Sequence, residues 1–337
     1  MGKDKGYTTL IVCLAAILIV SCIVSLSIGA YNVPFAQTIR ILFANIFNLE
    51  QTWTNTMYTV IINLRLPRVI AAVFIGGSLA MAGASYQGVF QNPLVSPDIL
   101  GVSSGATVGA AIAILFSLGF YLIMAFAFFG GIIAVALCVI IPTITGKKST
   151  LALVLSGIIV GGFLSSVLGL IIYLADPDTQ LPSIVFWQMG SLSRVGYPAL
   201  VVATPIIIIC GVFIFLMRWR INALSLSDRE AQSLGVNLSR ERGLVIIFAT
   251  ILTAVSVSIS GTIGWLGLTM PHFARLIVGD DNVKLLPLAG LIGAIFLVIV
   301  DLLARNLTTG EIPLGIITGF LGAPLFAILL IKQKTVG

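Results

Sequence analysis

The sequence predicts an all-α polytopic membrane protein with about ten transmembrane helices. Three observations carry that class. Of 337 residues, 58% are hydrophobic and only 9% charged, with a mean hydropathy of +1.14, whereas a soluble domain uses about 25% charged residues. Apolar runs of roughly 18 or more residues recur along the whole chain. The bilayer core holds no water for exposed backbone groups, so runs of this length must close their hydrogen bonds internally, as helices.

In order, the runs lie near 8–29, 66–85, 100–118, 122–145, 150–174, 197–217, 244–262, 264–279, 285–303 and 312–331. The first, Thr8 to Gly29, follows Lys3 and Lys5 in the manner of a signal peptide. It exceeds the ~7–15 apolar residues of a cleavable signal and further spans follow, so it reads as a retained helix. Cys22 closes "IVSC", a faint lipoprotein-like box. Met1-Gly2 opens like a myristoylation site but has Gly6 where Ser or Thr is needed. Cys13, Cys22, Cys138 and Cys210 lie inside apolar runs without CxxC or Cys/His spacing, and read as small buried hydrophobes.

Alternating the spans gathers thirteen basic residues on one side and five on the other. Arg40, Arg65, Arg68, Arg194 and Arg305 form the poorer set. Basic loops stay in the cytoplasm, so both termini are expected inside, in the cytoplasmic membrane. The net charge of +6 then falls on the inner face, where it reflects insertion and lipid charge rather than nucleic-acid binding.

That inner face includes the longest polar interval, "RWRINALSLSDREAQSLGVNLSRERG", residues 218–243. "SDRE" has the form of a capping box between Ser227 and Glu230. Ala231 and Leu234 supply a small apolar face, Gly235 ends the helix, and a second short element is expected through Ser239, Arg240 and Arg242. Two short helices between long spans form a protruding knob, suited to contact with a separate soluble motor.

Catalytic patterns fail. "TGKKST" lacks the glycine and the post-lysine hydroxyl of a phosphate-binding loop: Ile141 and Lys148 stand there. His272 is the single histidine, so no metal site or catalytic triad can be built on it. Asp176 and Asp178 flank Pro177 and read as helix-capping carboxylates. The glycines of "SGIIVGG", 156–162, read as helix-packing positions that could also widen a pathway. The stretches Gly83–Pro93 and Gly261–Pro271 each run from glycine to a proline break and would enter from opposite sides, as inverted repeats do.

Several segments resemble the FecCD-type permeases of ABC importers for iron chelates, haem and vitamin B12. They are "LRLPRVIAA" (64–72), "GASYQGVFQNPLVSPDILGVSSGA" (83–106), "GTIGWLGLTMPHFARLIVG" (261–279), "EIPLGIITGFLGAP" (311–324) and the island itself. The resemblance implies one transmembrane permease domain over 1–337, acting as a homodimer. Two ATPase subunits that bind ATP and Mg would dock below, and an extracytoplasmic binding protein above; no cofactor is expected on this chain. It implies ATPase coupling through Leu226, Ser227, Asp228, Arg229, Glu230, Ala231, Leu234 and Gly235. Binding-protein docking falls to Arg65, Arg68 and Arg305, and a gate to Asn92, Leu94, Ser149 and Thr150. Ferric siderophore, haem, cobalamin and the oxyanions molybdate and tungstate all stay open as cargo. The competing class is an ion-coupled secondary transporter, which calls for ionisable residues in mid-span.

Overall fold

Each of the ten apolar runs folds as a helix in the computed structural model, which describes residues 2–146 and 149–334. The helices are α1 (Gly2–Ser27), α2 (Phe35–Phe47), α3 (Asn55–Tyr58), α4 (Leu66–Phe90), α5 (Val102–Leu115), α6 (Phe120–Ile144), α7 (Thr150–Leu174) and α8 (Gln180–Met189). They continue as α9 (Tyr197–Leu216), α10 (Arg218–Leu224), α11 (Asp228–Ser233), α12 (Leu238–Ser260), α13 (Leu266–Val278), α14 (Asn282–Asn306) and α15 (Leu314–Lys334). A π-helical turn occupies Thr59–Arg65 and a 3-10 turn Pro97–Leu100.

Prolines and glycines set the departures from the expected spans. The run begun at residue 66 is part of one continuous helical stretch, Asn55–Phe90. Pro67 has no amide to give to the turn before it, and the chain widens there into the π turn, whose last residue is Arg65. α5 and α13 are short, at 14 and 13 residues. At about 1.5 Å per residue each covers roughly 20 Å, less than a ~30 Å hydrocarbon core. Irregular backbone precedes each at opposite ends of the bundle: 91–101, with its 3-10 turn, before α5 and 261–265 before α13. The second break falls at Gly261 (φ 70°) through Trp265, and Pro271 lies inside α13 rather than at a break.

α4 is the axis of the molecule. It packs against α14, α12 and α13, and glycines set the spacing. A Cβ on Gly76 would stand 2.4 Å from the Gly293 carbonyl oxygen, and one on Gly83 1.8 Å from that of Gly267. Gly105 and Gly130 bring α5 onto α6 in the same way. Around this core α1 and α7 remain largely uncovered. Gly157 sits against the Ile99 carbonyl, but Gly161 and Gly162 meet nothing within 4 Å and lie on the open side of α7. The "SGIIVGG" cluster therefore serves packing at one glycine and leaves a smooth free face at two.

The ends of the bundle differ. One carries the α9–α12 connection, together with Tyr7, whose hydroxyl donates to the Lys284 carbonyl at 3.0 Å. We call it the knob end. The far end gathers Arg65, Arg68, Asp301, Arg305 and Glu311.

Candidate functional site

The knob is built as its capping signals dictate, with one change of boundaries. The short helices are α10 and α11; Ser239, Arg240 and Arg242 belong to the first turns of the long α12 and not to a separate element. Ser227 accepts from the Glu230 amide at 3.4 Å, and Glu230 accepts from the Ser227 amide at 3.1 Å, closing the capping box. Gly235 takes φ 76°, its amide reaching the Gln232 carbonyl and that of Val236 the Ala231 carbonyl. That pair of bonds is a Schellman stop. Ala231 and Leu234 do not share a face: Ala231 is fully buried and pins the helix down, whereas Leu234 is 66% and Leu226 41% exposed. Those two leucines flank the exposed side chains of Asp228, Arg229 and Glu230. A firm small helix thus offers an apolar pair and charges to something outside the chain.

Side chains the sequence did not mark, Gln91 and Asn222 among them, help hold this knob to the spans. Gln91, in the left-handed conformation at the end of α4 (φ 52°), donates to the Leu224 carbonyl at 3.0 Å and to that of Leu226. Asp228 is bound by Arg242 of α12, Nη2 to Oδ1, at 2.5 Å. Asn222 donates to Asp281 at 2.8 Å and accepts from the Asn282 amide at 2.6 Å, so α10 is fastened to the start of α14. Arg220 reaches Glu241 at 2.6 Å. The Arg242 guanidinium holds the Asp228 carboxyl below the usual carboxylate range, and the Ser227 hydroxyl and amide do the same for Glu230. The knob is therefore tied to α4, α12 and α14.

At the far end the three predicted arginines are brought together, but none presents a free guanidinium. Arg65 is 6% exposed and donates to the carbonyls of Leu26, Ser27 and Tyr31 at 2.7, 3.0 and 2.6 Å. Arg68 is 8% exposed, with Nε on Asp301 at 2.6 Å and both terminal nitrogens on Glu311 at 3.0 and 2.6 Å. Arg305 donates to Ser25 and lies 3.2 Å from Asp301. Buried guanidiniums need such partners because an unpaired charge there is costly. The cluster is a clasp joining α1, α4, α14 and the loop before α15. Ser191, donating to Glu311 at 2.9 Å, adds the segment after α8. Exposed guanidiniums at this end belong to Arg40 and Arg194.

The segment after α8 is threaded into the α12–α13 break. Ser191 donates to the Ser260 carbonyl at 2.7 Å and Leu314 to the Gly190 carbonyl at 2.9 Å. A Cβ on Gly261 would come within 2.2 Å of the Trp187 carbonyl. Asp176 accepts from the Asp178 and Thr179 amides and from the Thr179 hydroxyl, fixing the turn that starts α8 and holding its carboxyl below the usual range. His272 is buried edge-on to the Phe326 ring at 5.5 Å, and its ring nitrogens have no partner among the described residues.

The four gate candidates lie at the knob end on separate elements. Asn92 accepts from the Leu94 amide at 2.9 Å and stiffens the turn after α4, with Leu94 53% exposed. Ser149 caps α7 by accepting from the Ala152 amide at 3.2 Å, and Thr150 is that helix's first residue. No hydrogen bond joins the two pairs among the described residues.

Seven helices among the described residues are long and apolar enough to cross a membrane, so the bundle is that of a multi-pass membrane protein. A family model of the FecCD transport family matches residues 17–332, and the chain belongs to that family of ABC transporter permeases. It is 38% identical to the molybdate import system permease protein MolB of Haemophilus influenzae over 99% of both chains. It is also 36% identical to the hemin transport system permease protein HmuU of Yersinia pestis over 95% of both. Against the vitamin B12 import system permease protein BtuC of Vibrio cholerae the identity is 37%, over 83% of this chain and 85% of the relative. A solved structure described as an inward-facing conformation of a metal-chelate type ABC transporter superposes with a TM-score of 0.87 at 36% identity, covering 96% of this chain and 99% of the other.

Proposed function

We propose that the chain is the permease subunit of a binding-protein-dependent ABC importer, working as a homodimer with two ATPase subunits at the knob end. The knob end faces the cytoplasm, as do both termini, in the cytoplasmic membrane. The observation that carries this reading is the knob. Leu226 and Leu234 are exposed at the two ends of a short capped helix, while Ala231, Gln91 and Arg242 fix it to the spans. An internally braced helix with an exposed apolar pair suits a lever, since force applied to it is not lost in local bending. ATP-driven movement of the partner would pass through Gln91 into α4. The open faces of α7 and α15 are where a second copy would close the pathway. Asn92, Leu94, Ser149 and Thr150 would narrow its inner end.

The binding protein would land at the far end. Arg65, Arg68 and Arg305 are occupied within the chain, so their contribution is to hold the landing surface together. The exposed Arg40 and Arg194 offer forks for acidic residues on the incoming lobes. Cargo falls in the class carried by the relatives: a metal chelate, haem, a corrinoid or an oxyanion such as molybdate. The test is site-directed crosslinking of a Glu230→Cys variant in membranes that hold the whole transporter. The expected product is an adduct with the ATPase subunit; a knob labelled only by membrane-impermeant reagents from outside the cell would overturn the reading.

A further inference from the structure

A groove of about 980 Å³ runs along the outside of the bundle between α6 and α12, at the upper end of the ~300–1,000 Å³ typical of ligand sites. Its walls are apolar, with Phe128 and Ile132 on α6 facing Ile247 and Ile251 on α12. From Phe128 to Thr143 it follows α6 for about 22 Å at 1.5 Å per residue. That is the thickness of one leaflet with its headgroups, half of a ~40–45 Å bilayer. Phe129, Ile247 and Val139 on this wall are exposed, and at that depth the medium that meets them is acyl chain.

The groove changes character at the knob end. There it is rimmed by Thr143, Ser239 and Arg242. Asn237 caps α12 through the Arg240 amide at 3.2 Å, which leaves the amides of Leu238 and Ser239 as the donors that a helix start cannot satisfy within itself. α12 runs for 23 residues, so its dipole adds positive potential at the same place. Two nitrogens of Arg242 are taken by Asp228, and its buried Nε has no partner among the described residues. An apolar slot one leaflet deep thus ends at the Ser239 hydroxyl, the start of α12 and the Arg242 guanidinium, with Asp228 and Gln232 beside them.

We propose that this groove binds a phospholipid of the knob-side leaflet. Its anionic headgroup phosphate sits at Arg242, Ser239 and the first amides of α12, with an acyl chain laid between Phe128, Ile132, Ile247 and Ile251. The phosphate shares Arg242 with Asp228, so the lipid lies against the tether that holds the knob to α12. Binding does not depend on what the knob contacts; any consequence for ATP turnover rests on the ATPase reading above.

The test is native mass spectrometry of the purified full chain, exchanged in detergent with phosphatidylglycerol or with phosphatidylcholine of the same acyl chains. Wild type is expected to retain phosphatidylglycerol about tenfold better, because the choline of phosphatidylcholine would bring a second cation to the Arg242 end of the groove. Ala136→Trp, which fills the groove from an exposed wall position, should lower that retention at least about fivefold, the scale of a lost ~1 kcal/mol. Arg242→Gln should bring the two lipids to parity. Excess inorganic phosphate should not displace the lipid, because it cannot replace the acyl chain. Equal retention of both lipids by wild type, or full retention by Ala136→Trp, overturns the proposal. So does expulsion of the lipid when the ATPase subunit is added, which would give the polar end of the groove to that protein.

Discussion

Asp228, the first residue of the knob helix, accepts a hydrogen bond from Arg242 of α12 at 2.5 Å. The pair lies between the knob helix and a helix that packs on the central α4. Asp228 is 55% exposed and Arg242 13%, so the pair contributes about 0.2–1 kcal/mol to stability, as exposed ion pairs do. Its value is geometric: it fixes where the knob stands. Asp228→Asn is expected to leave expression and membrane yield unchanged while reducing ATP-dependent uptake about fivefold, the equivalent of ~1 kcal/mol. The charge swap Asp228→Arg with Arg242→Asp should recover most of the loss. An uptake assay on all three variants in one reconstituted system decides it.

The same pair sets a pH response. The folded-state Asp228 carboxyl is held low, first by its hydrogen bond from Arg242. A depressed carboxyl contributes its stability above the unfolded pKa, about 3.9, and loses it only as pH falls through the lower folded value. Glu230, held low by Ser227, follows the same sign. The tether therefore stays intact from neutral pH down to about pH 4. A spin label at Leu234→Cys, with Cys13, Cys22, Cys138 and Cys210 replaced, should show constant mobility across that window and a rise only below it. Loosening between pH 6 and 5 would contradict the assignment.

The capping box gives a local prediction. Replacing an N-cap serine by alanine costs about 0.5–2 kcal/mol, and α11 has only six residues to absorb it. Ser227→Ala should raise amide exchange of residues 228–233 by about fivefold or more, as ~1 kcal/mol of lost local stability requires. Exchange in α12 should not change. Hydrogen-exchange mass spectrometry separates these segments.

Arg68 is the centre of the far-end clasp, bonded to Asp301 at 2.6 Å and to Glu311 at 2.6 and 3.0 Å. Removing one partner of a buried charge pair costs about 3–5 kcal/mol because the other charge is left uncompensated. Arg68→Leu should therefore lower the unfolding temperature sharply. Adding Glu311→Gln should restore part of it, since Glu311, unlike Asp301, has no second arginine beside it among the described residues. A thermal scan of the two variants in detergent tests this, and no recovery in the double variant would deny Glu311 its place in the clasp.

The residues that were legible in advance are those whose signal is local. Hydropathy located a helix at each of the ten apolar runs, seven of them within helices of membrane-crossing length among the described residues, because burial in a bilayer demands an apolar run whatever surrounds it. Ser227, Glu230 and Gly235 announced the knob helix, since capping is decided within a few residues. The rest depends on distant partners. Gln91 closes on carbonyls more than 130 positions away, and nothing beside it in the sequence distinguishes it from an ordinary helix end. Arg65 and Arg68 read as outward charges on a sparsely charged face. Yet Glu311, 243 positions on, and the carbonyls at the end of α1 turn them inward. Ala231 and Leu234 share one short helix, but the spans beneath it decide which one is covered.

Glycines on α4 and α7 make the contrast between packing and free surface measurable. A Cβ on Gly83 would lie 1.8 Å from the Gly267 carbonyl oxygen, and one on Gly157 1.8 Å from that of Ile99. Backbone cannot swing aside as a long side chain can, so Gly83→Ala must separate α4 from α13. Overpacking of this kind costs about 1–3 kcal/mol or more. Gly161→Ala meets nothing within 4 Å, and within a helix the change to alanine favours folding by up to about 1 kcal/mol. Gly83→Ala should thus lower membrane yield and melting temperature, while Gly161→Ala leaves both intact or raised in the single chain. Loss of dimer with a normally folded subunit in Gly161→Ala would show that the open face of α7 is where two copies meet. A folding defect there would instead mean that this face is covered within one chain.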